Sequence, residues 1–321
     1  MARLTVIVPT FNRVDYLAET VASVLSQDDD DFELVVADNA STDGTEAYLA
    51  GIADPRLRHV RRAHNLGWRE NFNQALHDAD SEYVTLVGDD DRVLPGALTR
   101  AVRFLDDAPT AAFVHTTFNV IDADGQVIET DAETLGDVPD DTIQRGSDFI
   151  ARAMRSGTPV CLSSAVMRKA ALPEVCFAAG EEICGDFVLF LNLALDWDVG
   201  FLTTPGVDLR MHPGQLSNTF ATAEHIRALR ESKLRFIAAN ASRLDHVGTL
   251  RRDARECTAV AMTRPVWAAT RESRAEGFRA LRRALRVRPQ LLLSATTWRA
   301  AVHIVVGPRI VRSIQARHAA R

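Results

Sequence analysis

Three consecutive aspartates, Asp89, Asp90 and Asp91, are the residues whose type and spacing most directly suggest chemistry. They follow an apolar run over residues 83–87, whose β-branched and aliphatic side chains are typical of a strand buried on both faces. Because carboxylates are rarely buried without partners, we expect them at the exposed carboxyl end of that strand, where open α/β sheets bind ligands. Adjacent negative charges repel one another unless a cation compensates them, and hard divalent ions such as Mg²⁺ or Mn²⁺ prefer oxygen ligands. A solvated acidic turn is the alternative for the cluster taken alone.

Polar residues also follow two earlier strand patterns. Pro9 and Thr10 come after the first apolar run, and Asp38 comes after the second. Because the carboxyl ends of parallel strands meet at one edge of a sheet, three strands would deliver polar groups to one cleft. A helix cap or an Asx turn is the alternative for any single group of this kind, and it stays open for Ser41 and Asp43.

Strand and helix patterns alternate at short intervals over the first hundred residues, which predicts βα units and a mainly parallel sheet. The predicted strands are residues 4–8, 32–37, 57–60 and 83–87. The predicted helices are residues 15–26, a helix from residue 45, and residues 65–78 and 94–105. Further along, strands are predicted over 111–120 and 160–168, helices over 147–155 and 187–195, and a surface excursion over 121–145. From residue 224 the pattern is helical almost to the end.

Composition limits the class of protein to which the chain can belong. The chain has 321 residues, 46% hydrophobic and 25% charged, as in a soluble protein with two domains or one large domain and an appendage. Its four cysteines show no regular spacing, which favours reduced thiols in the cytoplasm. The N-terminal segment lacks the apolar stretch of a signal peptide, and no run approaches the ~20 apolar residues of a membrane span.

Charge is distributed unevenly along the chain. The net charge is −6, yet residues 271–321 contain twelve arginines against two glutamates. A basic tail on an acidic body argues against a nucleic-acid-binding protein. Two alternatives stay open for the amphipathic helices predicted in this tail. They would pack on the catalytic domain or on a second subunit of a homo-oligomer, or they would make a peripheral contact with anionic lipid at the inner face of a membrane.

Four segments of the first hundred residues resemble family 2 glycosyltransferases of the GT-A fold. They read T-V-I-V-P-T-F-N-R, F-E-L-V-V-A-D-N-A-S-T-D-G-T, N-L-G-W-R-E-N-F-N-Q-A-L and G-D-D-D-R-V-L-P-G-A-L. The resemblance implies a GT-A catalytic domain over residues 1–220, with a nucleotide-sugar half (1–105) and an acceptor half (106–220), followed by a helical region over 221–321. It implies a bacterial type of enzyme that transfers a sugar from a nucleotide-diphosphate donor with inversion, assisted by Mn²⁺ or Mg²⁺.

The resemblance also implies roles for individual residues. Thr10 and Asp38 match positions that hold the base and the ribose, with Asp38 accepting from a ring N–H of a uracil-like base. Asp90 and Asp91 match the end of a D-x-D segment that binds the metal and the diphosphate. Gly88 stands where the first acid of that segment commonly sits, so we rank the direct metal ligand as Asp91, then Asp90, then Asp89. The nucleotide-sugar site implied by the matching segments further includes Pro9, Asn12, Asn65 and Arg69.

Two later segments extend the resemblance to about residue 217. In G-E-E-I-C-G-D-F-V-L-F-L, Asp186 matches the carboxylate that serves as the general base, with Glu181 and Glu182 in reserve. An ordinary helix N-cap is the alternative for Asp186. In V-D-L-R-M-H-P-G-Q-L-S, His212 matches a further metal contact and Arg210 a phosphate partner. Trp68 is a candidate for stacking on the base.

The resemblance implies an acceptor hydroxyl on a glycan, a lipid-linked saccharide or a secondary metabolite. A catalytically silent module that binds a nucleotide sugar is the alternative, because Gly88 and Gly185 replace acids of the family pattern. A sugar-nucleotide pyrophosphorylase fits less well, since the segment V-P-T-F-N-R-V-D lacks the Gly-rich basic loop that holds a triphosphate.

Overall fold

A computed structural model describes residues 2–29, 31–132, 140–156, 160–212, 214–215, 222–257 and 281–282. The chain divides into two compact units, Met1–Ala153 with Thr158–Thr219, and Met154–Gly157 with Phe220–Arg321. Apart from residues 281–282, the basic tail and its predicted amphipathic helices lie outside the described residues. No helix within the described ranges is both long and apolar enough to cross a membrane.

The first unit is built on one sheet, in which ten strands are described. The strands are β1 (Leu4–Thr10), β2 (Phe32–Asp38), β3 (Leu57–Arg61), β4 (Tyr83–Leu86), β5 (Arg92–Val93), β6 (Ala111–Ile121), β7 (Val127–Ala132), β8 (Thr142–Gln144), β9 (Ala165–Arg168) and β10 (Asp198–Arg210). Their order is β3-β2-β1-β4-β9-β6-β10-β5, with β7 beside β6 and β8 beside β10.

The direction of strand pairing in the sheet changes at β9. Strands β3, β2, β1 and β4 are parallel, as the alternating pattern predicts. Strand β9 then lies antiparallel between β4 and β6, whereas β6 and β10 are parallel. The nucleotide half therefore follows the expectation of a parallel sheet, and the other half is mixed.

Seven helices are described, six of them in or mainly in the first unit. They are α1 (Val14–Leu25), α2 (Thr45–Ala50), α3 (Trp68–His77), α4 (Ala97–Asp107), α5 (Gly146–Arg155), α6 (Gly185–Leu193) and, in the second unit, α7 (Thr222–Ala239). The buried residues Leu17, Val21 and Val24 recur at helical spacing along α1 and join the core cluster that also contains Leu98 and Leu105 of α4. On the opposite face of the sheet, Phe190 of α6 packs against Phe113 of β6, with ring centroids 4.8 Å apart.

The structure corrects three predicted elements. Residues 121–145 are not wholly a surface excursion, because β7 and β8 add to the sheet there. The strand predicted over 160–168 begins only at Ala165. Leu162–Ser164 forms a 3₁₀ turn, in which the Ser164 hydroxyl donates to Cys161 O (2.8 Å) and so competes with strand pairing. Helix α3 begins at Trp68 instead of residue 65, because Gly67 adopts a φ of +79°.

The second unit contains α7 and a further helical segment over residues 247–257. Lys233 of α7 is fully buried, and its ammonium donates to Met154 O (3.2 Å) and Ser156 O (2.5 Å). These hydrogen bonds to carbonyl oxygens link two chain segments of this unit.

Candidate functional site

A cavity of about 460 Å³ opens at the carboxyl ends of β1 and β4. Five of the residues predicted for the donor site line it: Pro9, Thr10, Asn65, Asp89 and Asp90. The same lining includes Arg13, Asn39, Trp68, Phe72 and Ser163. Strands β1 and β4 therefore bring Thr10, Asp89 and Asp90 to one cleft, whereas Asp38, at the end of β2, is absent from its lining.

The acidic turn, comprising Asp89, Asp90 and Asp91, divides into two functional parts. Asp89 accepts a hydrogen bond from Thr10 Oγ1 (2.7 Å), and Asp90 Oδ2 lies 2.9 Å from His212 Nε2. Asp91 is absent from the cavity lining: it accepts from Ser163 Oγ (2.5 Å) and from the Arg210 backbone N–H (3.0 Å). The carboxylates that line the cavity are thus Asp89 and Asp90, whereas the sequence ranked Asp91 first as a metal ligand.

Burial dominates the electrostatics of this turn. Burial raises the pKa of Asp89 to about 6, against the opposing effect of the Arg13 guanidinium. Burial and then the neighbouring charge of Asp90 raise the pKa of Asp91 to about 7. Asp89 and Asp91 therefore both take up a proton more readily than an exposed aspartate does.

Gly88 has a steric reason to lack a side chain. A Cβ at this position would lie 2.9 Å from both Asp90 Oδ1 and Asp91 Oδ2, because these carboxylates fold back over the glycine. The departure from a D-x-D pattern at residue 88 therefore follows from the tight packing of the turn.

Arg210 supports the acidic turn from behind. Its side chain is fully buried and donates to Asp90 O (2.8 Å), Ala123 O (3.1 Å) and Glu19 Oε2 (2.7 Å). The sequence predicted a phosphate partner here. The structure instead assigns the guanidinium to the protein's own carbonyl and carboxylate oxygens, away from the cavity lining.

The residue that lines the cavity after β2 is Asn39 and not Asp38. Asp38 has no exposed surface, accepts from Ser41 N (2.8 Å) and lies 3.2 Å from Arg61 Nη1, so its carboxylate is held inside the protein. Asn39 lines the cavity instead, with Nδ2 donating to Asn65 Oδ1 (2.8 Å). Successive side chains point to opposite sides of an extended chain, which explains why the neighbour of a buried Asp38 faces the cleft.

Four other predicted residues, His212 among them, lie outside the cavity lining. Asn12 accepts a hydrogen bond from Thr42 N (2.7 Å) and so ties two loops together. Arg69 is partly exposed and forms an ion pair with Glu182 (3.1 Å). Asp186 lies in the first turn of α6, which begins at Gly185, and its Oδ1 accepts from Phe187 N (2.7 Å). Asp186 is therefore neither the N-cap of that helix nor part of the cavity wall.

An aromatic cluster forms one wall of the cavity. The rings of Trp68, Phe72 and Phe177 meet edge to face, with centroids 5.4–5.6 Å apart. Trp68 and Phe72 line the cavity, so a flat ligand can rest on a rigid apolar surface there.

Arg13, Asn39 and Ser163 were not assigned to the site from the sequence. Arg13 could have been found, because it lies three residues after Thr10, the last residue of β1. Ser163 carries no such signal: it reaches Asp91 across 72 residues through a 3₁₀ turn that the sequence pattern reads as a strand.

The donor set around Asp90 suits a divalent ion only in part, because His212 is buried and lies outside the cavity lining. Within the described ranges, no three His, Cys, Asp or Glu side chains are arranged to hold one metal ion. Asp90 and His212 nevertheless bring a carboxylate oxygen and an imidazole nitrogen together. Because Mg²⁺ usually takes one or two carboxylates and completes its shell with water and substrate phosphates, these residues fit an ion shared with a diphosphate.

Known proteins resemble this chain in both sequence and fold. The chain is 37% identical over 102 residues to a Campylobacter jejuni protein named GalNAc(5)-diNAcBac-PP-undecaprenol beta-1,3-glucosyltransferase, covering 31% of this chain and 33% of that one. The matched regions span from a third to just over half of the length of three curated relatives.

Two solved structures share the fold at low sequence identity. S. aureus TarS 1-349 in complex with UDP-GlcNAc matches with a TM-score of 0.59 at 19% identity, over 89% of this chain and 81% of that one. The mannosyltransferase PcManGT from Pyrobaculum calidifontis, in complex with GDP-Man and Mn²⁺, matches with a TM-score of 0.53 at 19% identity, over 94% and 87%.

The family model described as Glycosyl transferase family 2 matches residues 5–172, which is just over half of the chain and contains the acidic turn and most of the cavity wall. With its GT-A architecture, the chain belongs to glycosyl transferase family 2.

Proposed function

We propose that the protein is an inverting glycosyltransferase that moves a sugar from a nucleotide-diphosphate donor to an acceptor hydroxyl. The observation that carries the proposal is the lining of the cavity, which combines the amide and aromatic side chains of Asn39, Asn65 and Trp68 with the carboxylates of Asp89 and Asp90. A base and a diphosphate need these two chemistries within one cleft. The TarS and PcManGT structures, which hold UDP-GlcNAc and GDP-Man, support the assignment of a nucleotide sugar.

The base and ribose lie beside Asn39, Asn65 and Trp68 in this proposal. Trp68 offers a face for stacking, while Asn39 and Asn65 offer amide donors and acceptors for a base edge. Thr10, at the end of β1, is placed between this region and Asp89, to which it is hydrogen-bonded. A pyrimidine donor, UDP or dTDP, remains the favoured class.

The diphosphate lies beside Asp89 and Asp90 in this proposal. A divalent ion, Mn²⁺ or Mg²⁺, would be held by Asp90 and His212, and would neutralise the negative charge that develops on the leaving diphosphate. The Mn²⁺ in the PcManGT complex supports this choice of ion. Asp91 and Arg210 do not hold the ion but keep the acidic turn in place from behind.

Asp186 is the proposed general base. Displacement at the anomeric carbon requires a carboxylate that takes the proton from the acceptor hydroxyl within hydrogen-bond distance. Its bond to Phe187 N also suits a purely local role in α6, which keeps the catalytically silent module as the alternative. The acceptor class proposed is a glycan, a lipid-linked saccharide or a small molecule, in the cytoplasm or at the inner face of a membrane.

A thermal-shift panel of nucleotide sugars, with and without Mn²⁺, tests the donor site. A bound donor raises the apparent stability by mass action, by about 2.7 kcal/mol at a hundredfold excess over Kd. We expect a shift with UDP- or dTDP-sugars that increases with Mn²⁺, and we expect Asp90→Asn to lose the increase that depends on Mn²⁺. Absence of a shift with every nucleotide diphosphate would contradict the donor site.

Release of the nucleoside diphosphate in the presence of an acceptor panel tests turnover. Asp186→Asn should retain the donor-induced thermal shift and lose turnover. Donor binding by the wild-type chain, without turnover on any acceptor, would favour the silent module instead.

A further inference from the structure

One cation already faces the acidic turn. Arg13 Nη1 lies 3.2 Å from Asp89 Oδ1 and 3.3 Å from Asp90 Oδ2, so one guanidinium nitrogen bridges the two carboxylates that line the cavity. The other terminal nitrogen, Nη2, donates to Gly214 O at 2.5 Å. In this arrangement Arg13 compensates negative charge in the way that the sequence led us to expect of a metal ion.

Arg13 and a divalent ion would need the same carboxylate oxygen. Asp90 Oδ2, which the proposed ion shares with His212, is the atom that Arg13 Nη1 approaches. Two cations beside one carboxylate oxygen repel each other strongly in a partly buried site, where the effective dielectric constant is low. Binding of the ion therefore requires the guanidinium to leave Asp90.

We propose that Arg13 is a built-in counter-ion that competes with the divalent ion for Asp89 and Asp90, and that it transfers to the donor's diphosphate when ion and donor bind together. Only the transfer rests on the proposed function; the competition rests on the carboxylate contacts alone. As a result, the affinity for the ion is low when the ion binds by itself and high when it binds together with a nucleoside diphosphate.

The local structure allows this exchange. The Arg13 backbone is anchored at the start of α1, where its carbonyl accepts from Leu17 N (3.0 Å), while the side chain keeps 27% of its surface exposed at the cavity. When Arg13 leaves, Asp89 retains the Thr10 hydroxyl as a partner, and the ion would join Asp90 to His212 in place of their present hydrogen bond. A guanidinium also binds phosphate oxygens in a bidentate manner, so the same side chain suits both positions.

Mn²⁺ binding without nucleotide, followed by the electron paramagnetic resonance signal of free Mn²⁺, tests the competition on the full chain. Arg13→Gln should bind Mn²⁺ about tenfold or more tightly than the wild type, because a neighbouring positive charge is removed. Arg13→Lys keeps the charge and should bind as weakly as the wild type. Arg58→Gln is the matched control: it also removes one positive charge, from an exposed ion pair with Glu33 that lies outside the cavity lining.

Equal Mn²⁺ affinity in Arg13→Gln and wild type, or an equal gain in Arg58→Gln, would overturn the proposal. Should Arg13→Gln fail to fold, Arg13→Met, which keeps the aliphatic packing, serves the same comparison. A wild-type chain that binds Mn²⁺ alone as tightly as with UDP contradicts the proposal independently of any variant.

Repeating the titration with UDP separates this proposal from the proposed function. In the wild type, UDP should tighten Mn²⁺ binding, and in Arg13→Gln this coupling should shrink because the competitor and one phosphate partner are both gone. If UDP changes nothing while Arg13→Gln still gains affinity for Mn²⁺, the counter-ion role stands and the donor-site assignment fails.

Discussion

Three adjacent carboxyl groups differ in chemistry because each meets different atoms. Asp89 and Asp90 share a cationic neighbour and line the cavity, whereas Asp91 is buried against a serine hydroxyl and a backbone N–H. A sequence shows three equivalent aspartates. In the structure, two of them line the cavity and the third is internal. This difference depends on Ser163 and Arg210, which are distant in the chain, so it could not be predicted from the residues alone.

Asp91→Asn should make the protein more stable at alkaline pH. The folded-state pKa of Asp91 is about 7, above the ordinary value of 3.8, so the folded state binds the proton more tightly. The stabilisation linked to this proton is complete below about pH 4 and is lost as the pH rises through 7. An asparagine can still accept from Arg210 N and donate to Ser163 Oγ without a buried charge.

Urea unfolding at pH 5 and pH 8, without metal, checks this expectation. The advantage of Asp91→Asn over the wild type should be larger at pH 8. Asp124→Asn, at an exposed turn, is the control. An advantage that shrinks between pH 5 and pH 8 would contradict the pKa direction given for Asp91.

At the scale of elements, Gly185 at the start of α6 lies against Trp68 at the start of α3. A Cβ at Gly185 would lie 2.9 Å from Phe177 Cδ1 and 3.2 Å from a Trp68 ring carbon. The start of α6 can therefore approach the aromatic wall of the cavity only where there is no side chain. This gives a packing reason for the glycine that replaces an acid of the family pattern before Asp186.

Gly185→Ala should weaken donor binding and destabilise the fold by about 1–3 kcal/mol, because overpacking displaces Trp68 and Phe177. Gly248→Ala is the matched control, since its Cβ would meet no atom within 4 Å and alanine favours a helix. Donor titrations and thermal unfolding of both variants give the comparison. Unchanged donor affinity in a destabilised Gly185→Ala would show that the aromatic wall does not contact the donor.

Elements of the first hundred residues could be predicted because their patterns are local. Strands β1 to β4 and helix α1 follow runs and spacings that need no partner to be recognised. Strands β5 and β8 have two and three residues, and they exist only because β10 is there to pair with them. The sequence did not identify Asn39 as the residue that lines the cavity beside Asp38, because only pairing in the sheet fixes which neighbour faces the cleft.

At the scale of the whole first unit, the pKa of a buried histidine, His115, is lowered, whereas the pKa of Asp91 is raised. His115 on β6 is almost fully buried beside Phe113 and Phe201, and its Nε2 has no hydrogen-bond partner within the described residues. Burial, with a smaller effect of Arg152, lowers the pKa of His115 to about 3. The contribution of a neutral His115 to stability is present above the ordinary pKa of 6.5 and is lost as the pH falls towards 3.

His115→Leu should flatten the acid side of the stability profile. We expect the free energy of unfolding to fall less between pH 6.5 and pH 4 in this variant than in the wild type. His77→Leu is the control, because that imidazole is 80% exposed on α3. An unchanged slope in His115→Leu would mean that groups elsewhere in the protein govern the acid response.

The contacts of Arg210 and His212 with the acidic turn have a consequence for the timing of folding. Each of these contacts joins two residues whose separation along the chain is between 119 and 122 positions. Contacts between such distant residues close late, since the loop-closure entropy must first be overcome. During synthesis the acidic turn leaves the ribosome more than a hundred residues before β10, so the nascent chain carries an unsupported cluster of carboxylates until the thirteen-residue β10 docks. The acidic edge of the cleft is thus expected to be among the last parts of this unit to reach its final arrangement.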